Sequence, residues 1–289
     1  MAIRIITDST CDLPFGLMSE LGIDIVPLKV HFDKEEFLDG VDITKQAFYE
    51  KLSVSAHLPT TSQVNPEGFL ALFKPYLEAG DEIIGIFISS DLSGTFQSAV
   101  IAKRLLEDPA QIHLIDSRNV TLGLALLVYE AIRLRDLGKT AENICARIEE
   151  AKKNVALFAV FDTLKYLKMG GRLSVTAAAV GGLLNVKPVI TVRQGLIVND
   201  GKARGSRAAY HLVAERMKAL PMDEDFEVIF AHAHAPAALE EFKKVLADSG
   251  LFPDPAILSR SKIIEIGSVV GTHTGPGAVA IVWVKKEKH

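Results

Sequence analysis

Four short segments of the chain concentrate hydroxyl groups: Asp8-Ser9-Thr10, Thr60-Thr61-Ser62-Gln63, Ser89-Ser90-Asp91-Leu92-Ser93-Gly94-Thr95 and Gly271-Thr272-His273-Thr274-Gly275-Pro276-Gly277. Two of them follow runs that read as buried strands, 3–7 and 82–88. In open α/β sheets ligands bind beyond the carboxyl ends of the strands. Hydroxyls and free backbone N–H groups there suit a small anion such as a carboxylate. The chemistry on offer is recognition of an acid, with little to suggest its conversion. Ser93 lacks the preceding glycine of a nucleophile elbow, and no Walker A or G-x-G-x-x-G motif marks a nucleotide site. As an alternative, Ser93 or Asp91 serves as the N-cap of the helix that follows.

The remaining polar candidates carry weaker signals. Asp8 and Asp12 could be metal ligands or bases, but Asp is common in turns and caps, and no His or Glu stands at ligand spacing. His232 and His234 would share one strand face, yet a metal needs further ligands. His273 lies in a glycine-rich loop that allows close backbone approach and can donate to a carboxylate; the same loop also fits a turn between two strands. The run 177–184 has no polar side chain. It suits a tightly packed helix, or room for a long apolar ligand.

These residues need a scaffold to bring them together. Strand-like runs 4–7, 24–32, 82–88 and 112–115 alternate with helices: Thr44 to 52, Pro66 to about 80, 94–106, 119–137 and Thr140 to 152. That alternation predicts a mainly parallel sheet covered by helices. Beyond Asn154 the texture changes. Strands are expected at 155–161, 189–192, 196–198, 227–231, 262–266 and 278–284, with a hairpin turn at 193–195 and helices at 208–220 and 237–249. The reading is therefore α/β with two domains, 1–155 and 156–289: an N-terminal largely parallel sheet with flanking helices, and a smaller domain with an antiparallel sheet.

Composition bounds the function. With 48% hydrophobic residues among 289, a large core needs no staples, and a net charge of −4 without a basic face argues against nucleic-acid binding. Cys11 and Cys145 give neither a disulfide framework nor zinc spacing, as expected in a reducing, cytoplasmic compartment. Met1-Ala2-Ile3-Arg4 runs straight into a strand, unlike a signal peptide. The apolar stretch 120–128 is too short to span a bilayer, so no stable membrane insertion is expected.

Taken together, the chain resembles the DegV family. The resemblance rests on Ile5-Ile6-Thr7-Asp8-Ser9-Thr10-Cys11-Asp12-Leu13-Pro14, Thr60 to Gln63, Ser89 to Thr95, Ile115-Asp116-Ser117-Arg118, Gly170-Gly171-Arg172-Leu173-Ser174, Leu184-Asn185-Val186-Lys187-Pro188 and Gly271 to Gly277, in family order across almost the whole chain. It implies one long-chain fatty acid bound between the two domains. Thr61, Ser62 and Ser93 would hold the carboxylate, Gly94 and Thr95 would shape their loop, His273 would support it, and the acyl tail would lie in the second domain.

For some members the resemblance implies more: a non-catalytic binding subunit of bacterial fatty acid kinase. Such a subunit presents the carboxylate to a separate ATP-using kinase subunit, which makes an acyl phosphate for phospholipid synthesis. The Gly-Gly-Arg segment, hence Arg172, would meet that kinase. No catalytic residue, cofactor or metal is implied. The chain departs from the family pattern at Val64-Asn65-Pro66 and Val175-Thr176. Energetics agree with a lipid site, since each buried CH₂ is worth about 0.8 kcal/mol and a tail of about sixteen carbons could supply on the order of 10 kcal/mol before ordering costs. Neutral hydroxyls would then suffice at the head group, without an arginine. Two other readings compete: a lipid transport or sensing module with no kinase, and a hydrolase using Ser93, which needs a base within reach.

Overall fold

The computed structural model describes residues 2–107, 109–174, 185–252, 254 and 256–286. The first half contains β1 (Ile3–Asp8), α1 (Met18–Leu21), β2 (Ile23–Val26), β3 (Lys29–Phe32), β4 (Glu35–Leu38), α2 (Lys45–Val54), β5 (Thr60–Ser62), α3 (Pro66–Glu78), β6 (Glu82–Phe87), α4 (Thr95–Arg104), β7 (Ile112–Asp116), α5 (Leu122–Asp136) and α6 (Ala141–Asn154). The second half contains β8 (Val155–Val160), α7 (Lys165–Met169), β9 (Val186–Arg193), β10 (Leu196–Arg204), α8 (Ser206–Ala219), β11 (Ile229–His232), α9 (Pro236–Asp248), α10 (Ala256–Arg260), β12 (Lys262–Glu265), α11 (Ser268–Thr274) and β13 (Val279–Val284).

Strands β2-β1-β6-β7 form a fully parallel sheet. Its central strands are apolar on both faces, with Ile5, Ile6, Ile83, Ile84 and Ile86 at 0% exposure, because helices cover a parallel sheet on both sides. Local helix signals hold. Thr44 caps α2 and Thr140 caps α6, while Asn65 caps α3 with Pro66 at its first turn. The second sheet runs β10-β9-β8-β13-β11-β12. It is antiparallel except for β11 and β12, which pair in parallel because the crossover through α9 and α10 returns the chain in the same direction. The β9–β10 hairpin closes through Gln194 and Gly195, both at positive φ, as a two-residue type I′ turn requires.

Helix α5 lies between the two sheets and touches β1 and β6 as well as β8, β11 and β13. That position explains the apolar run near residue 120: eleven residues of α5 are buried. Among the described residues no helix is long and apolar enough to cross a membrane. The second sheet alternates cleanly. Leu157, Ala159, Ala280 and Val282 join the core shared with the first sheet, whereas Phe158, Val160, Ile281 and Trp283 pack with α8 and α9.

Three expectations change. The run 24–32 is two strands in different sheets, broken at Pro27, which cannot donate to a ladder; β3 forms a small sheet with β4 and β5. Thr60–Ser62, which lies outside the strand-like runs read from the sequence, is a strand of that sheet. The segment 271–277 is no turn between paired strands. Residues Ser268–Thr274 are the helix α11, ended by Gly275 at φ +68. The first N–H groups of α11 are satisfied from afar: Gly267 N donates to Asp12 Oδ1 (2.8 Å) and Ser268 N to Asp39 Oδ1 (3.0 Å). The run 177–184, with Val175 and Thr176, lies outside the described residues.

Candidate functional site

A cavity of about 350 Å³ lies between the carboxyl ends of the first sheet and the facing strands of the second. Its long wall is apolar. Alternate residues Leu157 and Ala159 project from β8, Ile190 and Val192 from β9, and Ala280 from β13. The small side chains of Ala159 and Ala280 stand opposite each other in the β8–β13 register and leave the space open. Helix α11 adds Val269 and Val270.

The polar end gathers six of the seven residues singled out above, Thr61, Ser62, Ser93, Gly94, Arg172 and His273, and adds Gln63. Thr61 and Ser62 are neighbours on a strand, so their side chains leave on opposite faces. The Thr61 hydroxyl hydrogen-bonds His273 Nε2 at 3.0 Å. The Ser62 hydroxyl hydrogen-bonds His31 Nε2 at 2.8 Å, a partner that no sequence signal marked. Ser93 Oγ lies 3.0 Å from Thr95 Oγ1 and accepts from Thr95 N at 3.3 Å. Thr95 is buried and shapes the loop without lining the cavity. The N-cap of α4 is Gly94; Ser93 Oγ meets the N–H of Thr95, the first residue of the helix, and neither Ser93 nor Asp91 makes the usual cap bond to the second or third residue. The first-turn N–H groups that a cap would occupy are the groups that suit an anion.

Two glycines are required by close approach. A Cβ on Gly94 would sit 1.9 Å from Gln63 Oε1, and that amide is held by its bond to Ser98 Oγ at 3.0 Å. A Cβ on Gly170 would sit 2.2 Å from His273 Nδ1. The first glycine of the Gly-Gly-Arg motif thus makes room for the imidazole, a role the sequence did not reveal.

His273 is held neutral. Burial, followed by the nearby Arg172 guanidinium, pushes its pKa down to about 4. Its place in the last turn of α11 would favour the cation by the helix dipole, but desolvation is the larger effect. Its Nδ1 is buried without a partner among the described residues. Arg172 also lines the cavity, which corrects the expectation of a site without arginine. Its guanidinium donates to the carbonyls of Gly170 (2.5 Å) and Leu92 (3.4 Å); no carboxylate pairs with it among the described residues, and the residue is exposed.

The other candidates serve structure. Asp8 accepts from Thr10 N, Thr10 Oγ1 and Ile88 N, and burial pushes it up to about 6. His232 Nδ1 accepts from Ala235 N. His234 stacks on Tyr49 at 5.2 Å and faces Glu265 at 3.6 Å. No group of three or more potential ligands that could hold a metal occurs among the described residues. A hydrolase would need a serine, a base and an orienting acid in line. Here the imidazole of His273 bonds Thr61 instead of Ser93, and among the described residues no carboxylate meets its Nδ1.

A family model described as "Uncharacterised protein, DegV family" matches residues 2–286. A DegV domain-containing protein of Caldanaerobacter subterraneus subsp. tengcongensis is 37% identical over 285 residues, 98% of this chain and 99% of the relative. The structure of a fatty acid-binding DegV family protein from Thermus thermophilus is similar with a TM-score of 0.87 at 32% identity, over 99% of this chain and 100% of that one. DegV of Bacillus subtilis, a fatty acid binding protein, is similar with a TM-score of 0.80 at 32% identity, over 99% and 100% of the two chains.

Proposed function

We propose, from the premise that this chain belongs to the DegV family, that it binds one long-chain fatty acid in the cavity between its two sheets. The observation that carries the reading is the polarity of that cavity: an apolar wall ends in hydroxyls, a neutral imidazole and a helix N-terminus whose N-cap is a glycine. Its volume lies within the usual range for small-molecule sites. The carboxylate would rest at Thr61, Ser62, Ser93 and His273, with Gly94 and Thr95 shaping the loop. The tail would lie against β8, β9 and β13, in a C-terminal domain beginning near residue 156. Native mass spectrometry of the purified protein should show one acid per chain. Apo protein that gains no mass after oleate or palmitate addition would refute the reading.

The finer proposal is that the protein has no chemistry of its own. It acts in the cytoplasm, presenting the carboxylate to a separate ATP-dependent kinase subunit that forms an acyl phosphate for phospholipid synthesis. Support comes from Arg172, which is exposed at the polar end with its side chain bonded to carbonyls alone among the described residues. An arginine so placed keeps donors for a partner, and its planar fork suits interface hot spots. Arg172→Ala should leave lipid loading intact and reduce acyl-phosphate formation in a reconstituted pair. Normal phosphorylation with weakened lipid binding would assign the residue to the cavity alone.

A further inference from the structure

The motif Ile115-Asp116-Ser117-Arg118 contributes nothing to the cavity lining, yet its arginine joins two elements that do. Arg118 follows β7 in a left-handed conformation, φ +53, and its N–H donates to Asp116 Oδ1 at 3.0 Å. From that fixed base the guanidinium reaches in two directions. Toward the head-group loop it pairs with Asp91 at 2.5 Å, two residues before Ser93, and donates to Ser90 Oγ at 3.3 Å. Toward the second sheet it donates to the carbonyl of Gln194, at the tip of the β9–β10 hairpin. Beside it Ser89 Oγ donates to the Gly195 carbonyl at 2.8 Å. The fit is close: a Cβ on Gly195 would lie 2.5 Å from Ser89 Oγ and 2.8 Å from the Arg118 guanidinium.

The two elements so joined form opposite parts of the proposed site. The loop 89–95 carries Ser93 at the polar end, and the hairpin carries Ile190, Val192 and Ile197 of the apolar wall. An acid enclosed between them leaves when the hairpin and the loop part.

We infer that Arg118 is a positioning residue that latches the hairpin to the head-group loop and thereby sets the rate at which the bound acid is released. The inference rests on the fatty acid reading above. A lone surface ion pair would do little. Here one guanidinium is shared by two carboxylates, Asp91 and Asp116, a hydroxyl and a carbonyl, with a parallel hydroxyl–carbonyl bond next to it. Such contacts act on dissociation more than on encounter, as closing loops do elsewhere.

The test is a stopped-flow experiment. Wild-type protein and Arg118→Gln are loaded with cis-parinaric acid, a fluorescent long-chain fatty acid, and mixed with excess phosphatidylcholine vesicles. Release from Arg118→Gln should be about tenfold faster, with association changed by about twofold or less. Arg118→Lys, which keeps the charge but not the fork, should recover part of the retention. Ser89→Ala removes the parallel bond, and with it a 3.3 Å bond from Asp91 N, while keeping every charged group of the latch; it should accelerate release as well, so the inference stays testable if Arg118→Gln folds poorly. Wild-type release rates in folded Arg118→Gln, or in Ser89→Ala when Arg118→Gln does not fold, overturn the latch. Failure of the wild-type protein to bind the probe refutes the fatty acid reading itself and the latch with it.

Discussion

Replacing Gly170 by alanine tests the polar end with a single methyl group. Gly170 has αR backbone angles, φ −74 and ψ −6, so alanine is tolerated by the backbone and stabilises the fold by about 0.4–1 kcal/mol through the unfolded chain. The added Cβ would nevertheless lie 2.2 Å from His273 Nδ1 and 2.9 Å from Cε1. To regain an ordinary contact of 3.4 Å the ring must retreat by about 1.2 Å. The Thr61–His273 bond, 3.0 Å long, does not survive such a shift. Loss of one ordered donor to a carboxylate costs about 1.5–3 kcal/mol, or roughly 10–100-fold in affinity. Calorimetric titration with oleate should therefore show weaker binding in Gly170→Ala, while the melting temperature of the apo protein changes little, the lost Thr61–His273 bond offsetting the gain through the unfolded chain. Gly171→Ala is the control. Gly171 sits at φ +68 with open space around its missing Cβ, so alanine there should cost stability and leave affinity alone. Unchanged affinity in Gly170→Ala would refute the placement of His273 beside the carboxylate.

Ser93→Ala should lower fatty acid affinity by about 1.5–3 kcal/mol and stability by a smaller amount, about 1 kcal/mol, because Ser93 Oγ also meets Thr95 N and Thr95 Oγ1; a fall in melting temperature with unchanged affinity would contradict this. Asp12 links stability to pH: burial, outweighing the attraction of Lys45, raises its carboxyl from 3.8 to about 7. A raised folded pKa means the associated stability is complete below about pH 3.8 and is lost as pH rises toward 7, on the order of 4 kcal/mol. Asp12→Asn keeps an acceptor for Gly267 N–H and cannot ionise, so its melting temperature should gain on the wild type between pH 5 and pH 8. A pH-independent difference would refute the assignment.

The alternation of strands and helices in the first half was legible because each signal is local: apolar runs at 3–7 and 82–88, the caps Thr44 and Thr140, the proline at 66. So was the β9–β10 turn, where Gln194-Gly195 supplies the positive φ. The break at Pro27 was missed because the flanking runs are equally strand-like, and only partner choice separates β2 from β3. Helix α11 was missed for a related reason. Its glycines and threonines read as a loop, and the carboxylates that satisfy its N-terminus come from Asp12 and Asp39, more than 220 residues earlier in the chain.

The amino-acid sequence by itself determined that hydroxyl-bearing loops follow buried strands, that no phosphate-cradling motif accompanies them, and that the family pattern runs through nearly the whole chain. These are properties of neighbours in sequence. Only the tertiary structure decided that Thr61 meets His273 across 212 positions, that Ser62 turns to His31 instead, that Gly170 is the space into which the imidazole fits, and that Arg172 borders the cavity. The physical reason is that a binding site is set by which faces of which elements meet. That depends on packing between sheets, whereas periodicity and caps report only how each element begins, ends and buries one side.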